Sequence, residues 1–200
     1  MRVISGALGG RLLVSVRGMS TRPTSDPVKE ALFNILAPVL ERARVLDLFS
    51  GTGALAIEAL SRGAASAALV ESEEQACRVI RRNLANLDLS EVARVYRGPV
   101  SGVVPWMGRH GYRFDGIFVD PPYRRGLIVD TLERVARARI LEPNGWLVAE
   151  HEAREWPGDS GPWRIVRRSR YGDTGLTIYV LEGDPTARPT GQDPEGRLSR

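Results

Sequence analysis

Residues 45–55 read Val45-Leu46-Asp47-Leu48-Phe49-Ser50-Gly51-Thr52-Gly53-Ala54-Leu55. A short apolar run passes into a glycine turn, and the turn opens a helical pattern. A run of this length between turn signals suits a strand buried on both faces. The glycines let the backbone come close to a ligand, and the helix start offers unpaired N–H groups and a positive dipole end. Alone, such a turn is also simply a tight strand-to-helix connection. A second anchor gives it chemistry. Glu71 ends the next apolar run, Ala67 to Val70, twenty residues beyond Gly51. A carboxylate there can accept both hydroxyls of a ribose, so the pair points to an adenosine-containing cofactor.

Working outward, strands and helices alternate. Upstream, Thr24-Ser25-Asp26-Pro27 supplies cap residues and a proline for a helix running toward Leu40. Downstream the pattern predicts a helix over 54–61, strands over 67–70, 93–96, 116–119 and 146–149, and helices over 73–87 and 127–138. Such alternation is the signature of a mostly parallel sheet covered on both faces. Two alternating runs, Trp163–Ser169 and Leu176–Leu181, read as a terminal antiparallel hairpin. Residues 1–17 read as an N-terminal β-hairpin pinched around Gly6 to Gly10. Residues 18–182 form the main domain, and the polar, Pro- and Gly-containing stretch 183–200 is expected to be a disordered tail.

The third motif is Phe118-Val119-Asp120-Pro121-Pro122-Tyr123. It follows an apolar strand, so Asp120 should stand at the carboxyl edge of the sheet with Gly51, Gly53 and Glu71. An aromatic base amine is a poor nucleophile because its lone pair is delocalised. A carboxylate and a backbone carbonyl accepting its N–H bonds can hold the nitrogen and favour the charge that develops on it. Successive prolines fix φ and aim that carbonyl, and a tyrosine gives the base a surface to stack on.

Asp120-Pro121-Pro122-Tyr123 downstream of Asp47-Leu48-Phe49-Ser50-Gly51-Thr52-Gly53 resembles the amino-methyltransferases that use S-adenosylmethionine. More narrowly, the chain resembles the RsmD family. The matching blocks include Arg2 to Gly6 with Gly10-Arg11-Leu12, Arg22-Pro23-Thr24, Lys29 to Asn34, Asp47 to Gly63, Asp120 to Gly126 and Tyr171 to Thr174. They cover about residues 1–182 in the family's order. The resemblance implies methyl transfer to the exocyclic N2 of a guanine in small-subunit (16S) ribosomal RNA. It implies a Rossmann-like class I fold, α/β, with a seven-stranded sheet whose last strand is antiparallel. Asp47, Phe49, Gly51 and Gly53 would line the methionine end of S-adenosylmethionine, and Glu71 would hold its ribose. Arg22, Thr24 and Phe33 would pack beside it, and Pro99 with its neighbours would meet the adenine. Asp120, Pro121, Pro122 and Tyr123 would form the catalytic amine site.

The chain has 200 residues, 42% hydrophobic and 26% charged, with a net charge of +4. That balance suits a soluble, cytoplasmic protein with a polyanionic partner. Lys29 is the single lysine, so the basic residues are almost all arginine. Arg2, Arg11 and Arg17 of the N-terminal hairpin, with Arg124 and Arg125 after the tetrad, are the candidates for contacts to ribosomal RNA. The hairpin is not needed to close the sheet, so it is expected to be separable from the fold. One cysteine and two histidines give no metal-ligand set and no disulfide. The same tetrad would serve a DNA adenine or cytosine, or a protein glutamine amide, but such enzymes usually add a target-recognition domain. A nicotinamide-dependent oxidoreductase would need a proton-transferring residue after the fourth strand, and neither His110 nor His151 is well placed. A non-catalytic RNA-binding module would not need Asp120 beside two prolines.

Overall fold

In the computed structural model, residues 1–15, 25–122, 126–155, 158 and 161–182 are described. The apolar run beginning at Val45 is strand β1 (Arg44–Leu48), with parallel neighbours on either side. Helix α1 (Asp26–Leu40) precedes it, and α2 (Ala54–Ser61), β2 (Ser66–Glu71), α3 (Glu74–Asn86), β3 (Ala93–Arg97), α4 (Val100–Arg109), β4 (Phe114–Val119) and α5 (Leu127–Ala138) follow. Three strands end the described chain: β5 (Leu141–Glu152), β6 (Trp163–Tyr171) and β7 (Thr174–Leu181). The seven strands lie in the order β3-β2-β1-β4-β5-β7-β6, with β7 antiparallel to both neighbours. The expected sheet and its terminal hairpin are borne out.

Strand residues alternate between two cores. Val45, Leu69, Phe118 and Val148 pack with α1, α2 and α3. Leu46, Leu48, Val70, Val119 and Leu147 pack with α4 and α5. Both faces are therefore covered, which is why β1 is buried throughout from Val45 to Leu48. From β1 the chain winds outward through β2 to β3, then returns to β4 on the other side. The reversal leaves a crevice beyond the carboxyl ends of β1 and β4, where such folds take ligands.

Helix α4 was not expected from the sequence, because Gly102, Pro105 and Gly108 interrupt its pattern. Packing outweighs those penalties. A Cβ on Gly108 would lie 2.6 Å from the Ala138 carbonyl oxygen, so the glycine is what allows α4 to close against α5. Strand β5 is also longer than the 146–149 core read for it, extending on both sides.

The N-terminal hairpin is bolted to the domain. The Val3 amide donates to the Arg11 carbonyl at 2.9 Å, and Val3 and Leu13 are buried in the core shared with α1 and α2. The Glu58 carboxylate of α2, wholly buried, accepts the Ile4 and Ser5 amides at 2.7 and 3.0 Å. Lys29 Nζ stands 3.6 Å from Glu58 and donates to the Arg2 carbonyl at 2.6 Å. Burial pulls the Lys29 ammonium below its ordinary value against the opposing attraction of Glu58. Asn83 of α3 completes the fastening, accepting the Val14 amide at 2.8 Å and donating to the carbonyls of Val14 and Thr52. These bonds oppose the expected separability of the hairpin.

Candidate active site

The glycine turn is built by its neighbours. Ser50 Oγ donates to the Asp47 carbonyl at 2.7 Å and its amide to the Val70 carbonyl at 3.1 Å, so the exit of β1 is tied to the end of β2. Phe49, Gly51 and Gly53 all have left-handed φ, of 64°, 55° and 79°. At Gly51 a Cβ would meet nothing within 4 Å. The backbone there borders open space, as a ligand cradle requires. At Gly53 a Cβ would come within 3.1 Å of Leu69 Cδ2 and 3.4 Å of Ile80 Cγ2. Gly53 thus serves the inside of the protein, letting α2 start close over β2, and it is Gly51 that faces outward.

Glu71, at the end of β2, is nearly buried. Its Oε2 accepts the Gly51 amide at 2.8 Å, and its Oε1 accepts the Glu73 amide at 2.9 Å. Oε1 also accepts the Ser72 hydroxyl at 3.4 Å, and Oε2 keeps a further lone pair to which a ribose hydroxyl can donate. The Glu71 carbonyl also accepts the Gly98 amide at 2.9 Å, carrying the sheet edge on to Gly98 and the exposed Pro99, the residue before α4.

Asp47 is 1% exposed and sits beneath the turn. Its Oδ2 accepts the Ala56 amide at 3.3 Å, capping the first turn of α2. Burial pushes its carboxyl up to about 7, with the Ala56 bond opposing and Glu71 reinforcing the shift. A buried acid poised in this way is stabilised in its ionised form by any cation that approaches it.

Asp120 follows β4, partly exposed, with Pro121 buried and Pro122 exposed. Register pairs Asp47 with Phe118 across β1 and β4, so Asp120 stands two residues beyond Asp47's partner at the switch point. Phe33 is a correction to the sequence reading. It is fully buried, with its ring 5.6 Å from Phe118 and under the Arg62 guanidinium at 5.2 Å. It supports β4 from within and does not border the crevice. Arg2 is exposed and pairs with Asp26 at 3.3 Å, and Arg11 is exposed on the hairpin. Arg17, Arg22, Thr24, Tyr123, Arg124 and Arg125 lie outside the described residues, as does the stretch 183–200.

The family model described as Conserved hypothetical protein 95 matches residues 1–180. The chain belongs to that family. Among relatives, YlbH of Bacillus subtilis is 41% identical over 184 residues, covering 92% of this chain and all of the relative. Ribosomal RNA small subunit methyltransferase D of Escherichia coli is 42% identical over 189 residues, covering 91% and 90%. The solved structure of yhhF from Escherichia coli superposes with a TM-score of 0.78 at 36% identity, covering 91% of this chain and 98% of that one. The RsmD resemblance and the class I methyltransferase fold are thereby borne out.

Within the Conserved hypothetical protein 95 family framework, the structure adds three residues to which the sequence reading gave no role. Lys29, Glu58 and Asn83 lock the N-terminal hairpin beside the glycine turn. A signal for two of them was present. Lys29 interrupts an apolar helical face between Val28 and Leu32, and Asn83 falls on the buried stripe of α3. Polar residues at such positions must be paired internally.

Proposed function

We propose that this protein transfers a methyl group from S-adenosylmethionine to the exocyclic N2 amine of a guanine in small-subunit ribosomal RNA. One arrangement carries the reading: the Glu71–Gly51 clasp and Asp120-Pro121-Pro122 stand on one carboxyl edge, on strands that flank the switch point. The open backbone at Gly51, the Glu71 carboxylate and the buried Asp47 suit an adenosine bearing an ammonium group. The relative named Ribosomal RNA small subunit methyltransferase D, matched along nine-tenths of both chains, supports the substrate class.

Bound S-adenosylmethionine supplies an electrophilic methyl group. Glu71 accepts the ribose hydroxyls, and Asp47, ionised by the nearby cation, holds the ammonium. Asp120 and the Pro121 carbonyl accept the two N–H bonds of the base amine and fix its nitrogen for attack. The nitrogen gains the methyl as the methyl's bond to sulfur breaks, the sulfonium leaving as a neutral thioether. The nitrogen loses one proton, which Asp120 would accept. Pro121 and Pro122 stiffen the loop so that little reorganisation accompanies the charge developing on nitrogen. In this reading Tyr123 stacks on the base, and Arg2, Arg11, Arg17, Arg124 and Arg125 meet phosphates.

The test is direct. The protein is incubated with labelled S-adenosylmethionine and small-subunit RNA, naked and assembled, and the labelled nucleoside is mapped. N2-methylguanosine at one position is expected. Label on adenine or cytosine would overturn the base assignment, and no label on any RNA would overturn the substrate class.

A further inference from the structure

Away from the carboxyl edge, a groove of about 620 Å³ runs along the outer flank of β3. Arg81 of α3, Arg94 and Tyr96 of β3, Trp106 of α4 and Tyr112 are among the residues that line it, and no acidic residue does. The aromatic rings are fixed by one another. Trp106 lies 5.9 Å from Tyr96 and 5.6 Å from Tyr112 between centroids, and the Tyr96 hydroxyl donates to the Tyr112 hydroxyl at 3.1 Å. His110 stacks on Trp106 at 4.2 Å and steadies it from one side. The ion pairs of this flank among the described residues are Arg78–Glu74 and Arg97–Glu74, which leave Arg81 and Arg94 with uncompensated charge.

An edge strand needs a charge to deter unwanted pairing, and Arg94 alone would suffice for that. It does not need a preorganised aromatic cluster bordering an open, purely cationic groove. We propose that this groove binds a single-stranded stretch of RNA, with bases packed against Trp106 and Tyr112 and phosphates held by Arg81 and Arg94. Rings already locked in place lose little entropy when a base stacks on them, and stacking tolerates any base. The groove follows the body of β3, whose end passes through Arg97 to Gly98 on the cofactor edge. The lining gathers toward the amino half of β3, three strands from β4. An RNA seated there is held on the same molecule at a distance from the amine site, which raises its effective concentration without adding base specificity. The inference rests on the reading of the protein as an RNA methyltransferase.

The experiment compares the full chain with the double variant Arg81→Gln/Arg94→Gln, both sites being exposed. Methyl transfer is measured on small-subunit RNA and on a short stem carrying only the target nucleotides. For the long RNA, KM should rise by about tenfold with kcat and S-adenosylmethionine affinity unchanged. The salt dependence of binding should lose about 1.4 from its log–log slope, the share of two single-strand phosphates. The short stem should be affected little. Independently of activity, an oligoribonucleotide carrying 5-iodouridine should crosslink to Tyr96, Trp106 or Tyr112 in the unaltered chain. An unchanged KM and salt slope, in a protein that does methylate RNA, would overturn the groove as an RNA site. So would a double variant whose only change is its sedimentation, which would give the groove to a second copy of the chain. If no RNA is methylated, the functional reading falls, and the crosslink decides the groove alone.

Discussion

Glu71 Oε2 accepts the backbone amide of Gly51 at 2.8 Å, joining the end of β2 to the turn that leaves β1. The residue expected to hold the cofactor's ribose therefore also shapes the cradle for its other end. Cofactor binding at one end should therefore be coupled to order at the other.

Glu71→Ala should weaken S-adenosylmethionine binding by about 1–3 kcal/mol, the scale of lost charge-assisted hydrogen bonds. Glu71→Gln should fall between, since its single acceptor oxygen cannot serve both the Gly51 and Glu73 amides. Calorimetric titration reads both. Equal affinity in all three proteins would remove Glu71 from the site.

Asp47 should make cofactor binding depend on pH. Its folded-state carboxyl is raised to about 7, so the unliganded fold favours the protonated acid. Between the ordinary carboxylate range and about 7, its contribution to stability falls as pH rises. His151 opposes this. Buried and neutral, with its value lowered mainly by burial, it costs stability as pH falls below its ordinary range. The readout is thus the difference between the wild type and Asp47→Asn in thermal unfolding. The variant should lose the part of the profile that declines toward pH 7. S-adenosylmethionine affinity should rise from pH 5.5 to 7.5 in the wild type and stay nearly flat in the variant. A flat wild-type profile would separate Asp47 from the ammonium.

Asp120→Ala should separate chemistry from cofactor binding. Methyl transfer should fall by about two orders of magnitude or more, the usual effect of removing an aimed electrostatic group. Affinity for S-adenosylmethionine should hardly change. Lost affinity with surviving activity would reverse the roles given to the β1 and β4 ends.

Glu58→Ala should cost about 3–5 kcal/mol of stability, because it strands the buried Lys29 ammonium and removes the acceptor for Ile4 and Ser5. Deleting residues 1–15 should be at least as damaging. Chemical denaturation measures both. A truncated protein as stable as the full chain would show that the hairpin is only attached to the domain.

The legible parts of this molecule are those where local pattern and tertiary role agree. The boundaries of α5 follow from sequence because its apolar stripe has one sheet face to cover, and those of α2 because Gly53 opens it and Gly63 lies just past its end. Glu71 and Asp120 were readable because a strand end is a position that sequence can mark. Helix α4 was not, since Gly108 matters only through its approach to Ala138, a residue thirty positions away. The roles of Gly51 and Gly53 were likewise hidden. Both have positive φ, and only the atoms around them show that one faces the crevice and the other Leu69. Phe33 misled for a related reason: an aromatic at the right distance along the chain can serve the core as readily as a ligand.

The position of β7 has a consequence for how the protein is made. Among the described residues it is the last strand yet internal in the sheet, and β6 is held in the sheet through β7 alone. While synthesis has reached only β6, that strand has no partner, and the outer edge of β5 lies bare. Vectorial folding can complete the cofactor half, β1 to β4, early. The sheet closes only once Leu181 has left the ribosome. A nonsense mutation before Thr174 should therefore yield an aggregating product and not a shortened enzyme, while a fusion beyond Glu182 should leave the sheet intact.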